Sequence, residues 1–313
     1  MLQERPMKDS GVKANYKKVL LLFVFSLALI SANAYNAYLH YDFPISADDE
    51  NYFKMAQGDY SVDVTHRYRV LIPLAASAVA MPISKMYEKI WPHRPQANWP
   101  LRLGFFVINS LVMALSGALV FLVCEAYGAR TLAALLATVA ILTSRWATYF
   151  AGTASTDSLY FCVILLVMLG IKSKNSTMLT AAIFLGPFAK ESFIFIAPLI
   201  FFFSHLPKRR QIGLFVLSGL LVFAVRYFID LQTGTPYSAS LENAFAHVGN
   251  VRETLVRLFS VGGFFEVFSA LGLYFLILLA GLAVGRQAVM QWFQRIDLPL
   301  IVLFALIWLH VVL

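Results

Sequence analysis

About nine continuous apolar runs, separated by short polar loops, constrain this chain more than any other feature. They fall near residues 19–39, 101–124, 131–150, 156–171, 177–189, 192–204, 211–229, 266–285 and 298–313. An α-helix needs about 20 apolar residues to cross a bilayer. Continuous rather than alternating runs argue against a transmembrane barrel, whose strands alternate between lipid and lumen. With 59% hydrophobic and 13% charged residues, a soluble domain could not hide this much apolar surface, so the solvent is lipid. The expected fold is therefore all-α: one polytopic transmembrane helix bundle over residues 1–313, with about nine spans.

The basic residues set an orientation. Arg5, Lys8, Lys13, Lys17 and Lys18 precede the first run, which places the N-terminus in the cytoplasm. Ala32-Asn33-Ala34 resembles a small-residue cleavage site, so a cleaved signal within the first 34 or so residues competes with an anchor. The long basic lead and the apolar stretch beyond that site favour the anchor, and either choice leaves the next loop outside. That outer loop, about 40–100, holds an apolar patch at 70–83 interrupted by Pro73 and Pro82, too short and broken to span. The resulting count places Arg130, Lys172, Lys174, Lys208, Arg209, Arg210, Arg286 and Arg295 inside. Letting 70–83 cross, or merging 177–204 into one span, would break that agreement with the positive-inside rule.

A second large outer loop, near 230–265, reads as a turn around Gly234-Thr235-Pro236 followed by an amphipathic helix. Leu255, Leu258 and Phe259 share one face of it, with Arg252, Glu253 and Arg257 around them. Both large outer loops are thus expected to carry interfacial helices. The chain stops within its last apolar run, which leaves the completeness of its C-terminus open.

Composition narrows the partners. Much of the net charge of +8 sits beside spans, where basic residues meet anionic headgroups, so membrane lipids rather than nucleic acid are the expected partner. The six histidines show no ligand spacing and no nucleotide-binding glycine loop is present, which argues against a cytosolic ATP or nucleotide-sugar site. Cys124 and Cys162 lie inside apolar runs and read as packing residues.

The outer face collects the acids. Ser46-Ala47-Asp48-Asp49 has capping-box spacing and predicts a short helix through about Gln57. Asp48, Asp49 and Glu50 either cap and solvate that helix or present a general base beside the bilayer. Three clustered acids repel, which invites a cation or a nearby Arg. Thr156-Asp157-Ser158 opens a later run, where Asp157 is either the helix cap, with Thr156 its rival, or a second functional carboxylate. Lys190-Glu191 sits at the outer turn of an apolar hairpin. Adjacent helical residues do not face each other, so these two need other partners, a phosphate or Asp157 for Lys190. Arg145 and Arg226 are costly placements within runs and call for a partner, a wet cavity or snorkelling. His66-Arg67-Tyr68-Arg69 reads either as an interface anchor or as a bidentate clamp for a lipid-linked phosphate.

Together these residues resemble the GT-C superfamily of polytopic glycosyltransferases. Asp48-Asp49-Glu50-Asn51-Tyr52, with Ala56 beyond, is similar to the acidic motif of that family's first outer loop, although the protein O-mannosyltransferase and aminoarabinose-transferase branches often carry Glu where Asp49 stands. Arg69-Val70-Leu71-Ile72-Pro73, Thr156-Asp157-Ser158-Leu159 and Lys190-Glu191 resemble later family features, while the family's large C-terminal region has no counterpart. The resemblance implies transfer of a sugar from a polyprenyl-phosphate donor to an acceptor hydroxyl on a glycan, lipid or protein at the outer face of a membrane, a bacterial inner membrane by the shortness of the loops. It implies Asp48 as base with Asp49 its rival, and Asp157 orienting the acceptor or helping to hold a cation. Arg67, Arg69, Lys190 and Arg145 become candidates for the phosphate, with Glu50, Tyr52 and Glu191 in support. No cofactor is required; a divalent cation, Mg or Mn, held by Asp48, Asp49 and Asp157 is compatible with it. The competing reading is a transporter or lipid flippase whose polar residues line a path.

Overall fold

A computed structural model describes residues 16–40, 46–63, 66–92 and 98–234, together with 256, 260–263, 265, 268, 273–287 and 297–303. Among these there is no strand. The helices are α1 (Tyr16–His40), α2 (Ala47–Ala56), α3 (Leu71–Ile90), α4 (Trp99–Ala126), α5 (Thr131–Leu142), α6 (Arg145–Gly152), α7 (Asp157–Lys172) and α8 (Ser176–Ala189). A 3-10 segment (Glu191–Phe195) follows, then α9 (Ala197–Phe203), α10 (Lys208–Thr233) and α11 (Leu273–Val284).

Three of these, α1, α4 and α10, are long and apolar enough to cross a bilayer; α5 and α6, bent by 58° at the break between them, make a fourth crossing if taken as one. The run count anticipates about nine. The difference has a physical source in α7, α8 and the 3-10/α9 segment, which are apolar but stop short of a full crossing. At 1.5 Å per residue, the 16 residues of α7 rise only about 24 Å. The runs at 266–285 and 298–313 lie only partly within the described residues. Leu255, Leu258, Phe259, Arg252, Glu253 and Arg257 of the expected amphipathic helix, with Thr235 and Pro236, lie outside them. Gly234 is inside, and its φ of 64° closes α10 with the left-handed turn that glycine adopts without strain.

The apolar patch at 70–83 belongs to one uninterrupted 20-residue helix, α3. Pro73 stands in the first turn, where its missing N–H has no intrahelical partner to lose, and the helix continues through Pro82. Neither proline divides it, contrary to the expectation from sequence. α3 presses on α4 where Gly104 meets the backbone of Ala76, leaving no room for a Cβ. Gly117 plays the same part toward α1 and α5: a Cβ there would stand 2.6 Å from Ser26 and from Leu142. Small residues at such crossings let helices approach closely in lipid, where no hydrophobic force drives them together. α4 is accordingly the central helix, with 61% of its apolar window buried, against 11% for the peripheral α10.

Contacts between helix termini define two ends of the bundle. At one, Lys18 of α1 pairs with Glu125 of α4 at 2.6 Å, Lys172 of α7 pairs with Asp297 and lies over Tyr127, and Ser176 of α8 meets His205 at 3.0 Å. The last contact joins the two extremities of the α8/3-10/α9 hairpin. At the other end, Arg102 of α4 donates to the Tyr38 carbonyl of α1 at 2.9 Å, and the acidic segments gather.

Candidate functional site

The site begins with α2. Ser46 caps it, its hydroxyl accepting from the Asp49 N–H at 3.3 Å, and Asp48, Asp49 and Glu50 occupy the first turn, where the helix dipole favours negative charge. Helical spacing then sorts the three acids. Asp49 turns inward with Tyr52 and Phe53 and is 1% exposed, while the Asp48 side chain stays 56% exposed. Glu50 pairs with Lys54 at 2.8 Å on the solvent side and does not join the cluster. Asp48 Oδ1 lies 3.0 Å from His66 Nε2.

The segment after α2 divides its arginines. Arg69 donates from Nε to Glu191 Oε2 at 2.9 Å and from Nη1 to the Tyr52 hydroxyl at 2.7 Å, with Nη2 also 2.9 Å from Glu191. Arg67 is buried and turned elsewhere, donating to the Val62 carbonyl at 3.2 Å and facing Asp230 at 3.6 Å. Tyr68 donates its hydroxyl to the same Asp230 at 2.9 Å, and Arg226 lies over the Tyr68 ring at 4.4 Å. Arg67 thus ties the segment to the end of α10 rather than standing beside Asp48.

The start of α7 is held by a residue that sequence patterning passed over. Asn109 of α4, fully buried, donates to the carbonyls of Thr153 and Ser155, both at 3.0 Å, and accepts from Ser158 at 2.6 Å. The Asp157 N–H is taken by the Ser155 hydroxyl at 3.1 Å, so neither Thr156 nor Asp157 caps the helix with its side chain. Asp157 is left to accept from Lys190 Nζ at 3.0 Å and from Ser155 at 3.1 Å. Thr156 instead donates to the Tyr52 hydroxyl at 3.2 Å, which joins α7 to α2.

Lys190 and Glu191 stand where α8 ends and the 3-10 segment begins. Lys190 is extended there, and Phe193 folds back over Gly186 so closely that no Cβ fits. The reversal sends the two neighbouring charges to different partners, Lys190 to Asp157 and Glu191 to Arg69. Four chain segments therefore meet through two ion pairs and the Tyr52 hydroxyl.

The electrostatics follow from this meeting. The hydrogen bond from His66 holds the Asp48 carboxyl below its usual range, against the opposing effect of partial burial, with the charges of His66, Arg69 and Lys190 adding to it. Burial pushes the Tyr52 hydroxyl up to about 12, so it stays protonated. Burial also works against the charge on Arg69, but Tyr52 and Glu191 more than offset it. Tyr149 of α6 is hydrogen-bonded to Ser46 and feels the charges of Asp49, Asp48 and Asp157. Tyr149 and Asn109 carried no motif in the sequence, and His66 stood in the His66–Arg69 run without a partner assigned to it; proximity to Asp48 supplies that partner. Arg145 stands at the α5/α6 break over the Trp146 ring at 5.9 Å, and no ion pair among the described residues joins it to the cluster.

Among the described residues no three His, Cys, Asp or Glu side chains converge as ligands for one ion. Asp48 is turned to His66 and Asp157 to Lys190, so protein cations answer the charge of these two acids. A cleft of about 420 Å³ opens along α2, between it, α3 and the start of α4, with Phe53, Gln57, Ser77, Met81 and Asn98 in its walls. It lies toward the far end of α2, and neither Asp48 nor Asp157 lines it. No protein-family model matches the chain, and neither a curated protein nor a solved structure shows significant similarity to it.

Proposed function

We propose that the chain is a membrane glycosyltransferase that moves a sugar from a polyprenyl-phosphate donor to an acceptor hydroxyl at the extracytoplasmic face. The observation that carries this reading is a half-exposed carboxylate, Asp48, kept ionised at the end of the bundle where Asp157 and Lys190 also meet. In the reaction, the acceptor oxygen bonds to the anomeric carbon while its proton passes to Asp48. The bond from that carbon to the phosphate oxygen breaks, and its electron pair leaves with the polyprenyl phosphate. A phosphate is a good leaving group once its charge is matched, so no strong general acid is needed. Lys190, with its side chain 26% exposed, is the cation best able to turn from Asp157 toward that charge. Arg69 is engaged on three nitrogens and acts behind it, fixing Tyr52 and Glu191.

A transport path would set charges at staggered depths. Arg226 is the placement that most favours such a path, and it lies over the ring of Tyr68, which is bonded to Asp230, beside the segment that carries Arg69. Purified protein in detergent, given labelled polyprenyl-phosphate sugars and membrane-extracted acceptors, separates the two readings. Product formed without a sealed compartment supports the enzyme, and no product with any donor overturns it.

Sidedness is tested independently. In a background lacking Cys124 and Cys162, Glu50→Cys and Lys174→Cys are expected to react with an impermeant maleimide from opposite faces of sealed vesicles, Glu50→Cys from outside. Labelling from one face would sink the extracytoplasmic assignment.

A further inference from the structure

We infer that His66 is the positioning residue of Asp48, donating from Nε2 to Oδ1 so that Oδ2 alone faces an incoming hydroxyl. This rests on the glycosyltransferase reading for its role, but the geometry stands without it. Asp48 and Asn51 are three residues apart on α2 and share a face, and His66 lies across both. Its Nε2 is 3.0 Å from Asp48 Oδ1 and its Nδ1 is 3.5 Å from Asn51 Nδ2. A carboxylate only accepts, so the ring proton between the two sits on Nε2, in the imidazolium and in the neutral Nε2–H tautomer alike. Asp63, at 3.9 Å from Nδ1, is beyond hydrogen-bond reach. Tyr52 meets the imidazole edge-on, with centroids 5.4 Å apart at 79°, which fixes the ring plane.

The need for such a residue follows from exposure. The His66 side chain is 12% exposed and the Asp48 side chain 56%, so the imidazole is clamped from behind while the carboxylate protrudes. The terminal torsion of an aspartate is broad and roughly two-fold, and among the described residues His66 is the group that hydrogen-bonds this carboxylate. Arg69, Lys190 and Tyr149 also face Asp48 electrostatically, from the segment after α2, the α8 break and α6, but His66 is the group that makes its side-chain hydrogen bond.

The test compares two substitutions. His66→Gln keeps an N–H donor near the position of Nε2, whereas His66→Asn reaches only as far as Nδ1. His66→Asn is expected to lower kcat about 10²-fold, with KM within about twofold, and His66→Gln to recover most of the loss. Equal turnover in both variants, whether wild-type or equally impaired, would overturn the assignment, since a merely structural imidazole does not distinguish the two amides. If the wild type transfers sugar from no polyprenyl-phosphate donor, the enzyme reading falls alone. The His66 assignment is then decided by a ¹³Cγ NMR titration of Asp48, its resonance identified with Asp48→Asn. An upward move in His66→Asn that His66→Gln reverses supports it, and an unmoved titration overturns it.

Discussion

Asp48→Asn is expected to lower sugar transfer by about 10²–10⁴-fold while expression and membrane insertion stay unchanged, the range that a positioned general base supplies. Asparagine keeps the size of the side chain and can still hydrogen-bond to His66 across the same 3.0 Å, so the fold has no reason to respond. What disappears is the ability to take the proton from the acceptor hydroxyl as the new bond forms. Asp49→Asn provides the contrast. It is 1% exposed and turned into the core with Tyr52 and Phe53, so its loss is expected to appear in stability more than in turnover. Wild-type activity in Asp48→Asn would remove Asp48 from the chemistry. The pH dependence follows the same geometry. The Asp48 carboxyl is held below its usual range, so its contribution to stability is fully present above the ordinary carboxylate pKa of about 4 and is lost as pH falls through the lowered value. Between pH 5 and 8 the base stays ionised, and no acid limb in the transfer rate should trace to it.

Arg69→Met is expected to destabilise the protein by about 3 kcal/mol, the low end of what breaking a buried ion pair costs, because the Glu191 side chain is still 35% exposed. Arg69 supplies three nitrogens to two partners, so its removal strips Glu191 Oε2 of both donors and the Tyr52 hydroxyl of one. Glu191 Oε1 is already buried without a hydrogen-bond partner among the described residues, and a carboxylate so placed has little water to fall back on. Arg69→Lys should rescue little, since an ammonium cannot reproduce a planar fork spread over Glu191 and Tyr52. Combining Arg69→Met with Glu191→Leu should recover much of the loss, because removing both members of the pair leaves neither charge without its partner. Thermal unfolding in detergent reads all four proteins. A neutral Arg69→Met would mean that this pair does not hold the segment after α2 to the hairpin.

The helical starts and the distribution of charge were legible in the residues. Ser46 followed by Asp49 predicts the cap and the first turn of α2, and its end near Gln57, because both depend on contacts three or four residues apart. The Lys190-Glu191 turn is equally local: a charged pair between two apolar stretches does not continue a buried helix. Span counting was less secure. Apolar composition does not distinguish a full crossing from the shorter α7 and α8, and prolines in α3 looked like interruptions when one stands in the first turn and the helix passes through the other.

The order of apolar and charged segments by itself determined an all-helical membrane chain with acids gathered apart from most of its basic residues, because burial in lipid and helix capping act on neighbours in the chain. Only the tertiary structure decided which charges meet. Arg69 rather than Arg67 takes Glu191, Asp157 takes Lys190, and His66 takes Asp48. Such pairings span from 18 residues to more than 100, and they depend on where Asn109, Gly104 and Gly186 let helices and turns come close. An ion pair is set by ångström separations and by the water excluded around it, and a linear pattern records neither.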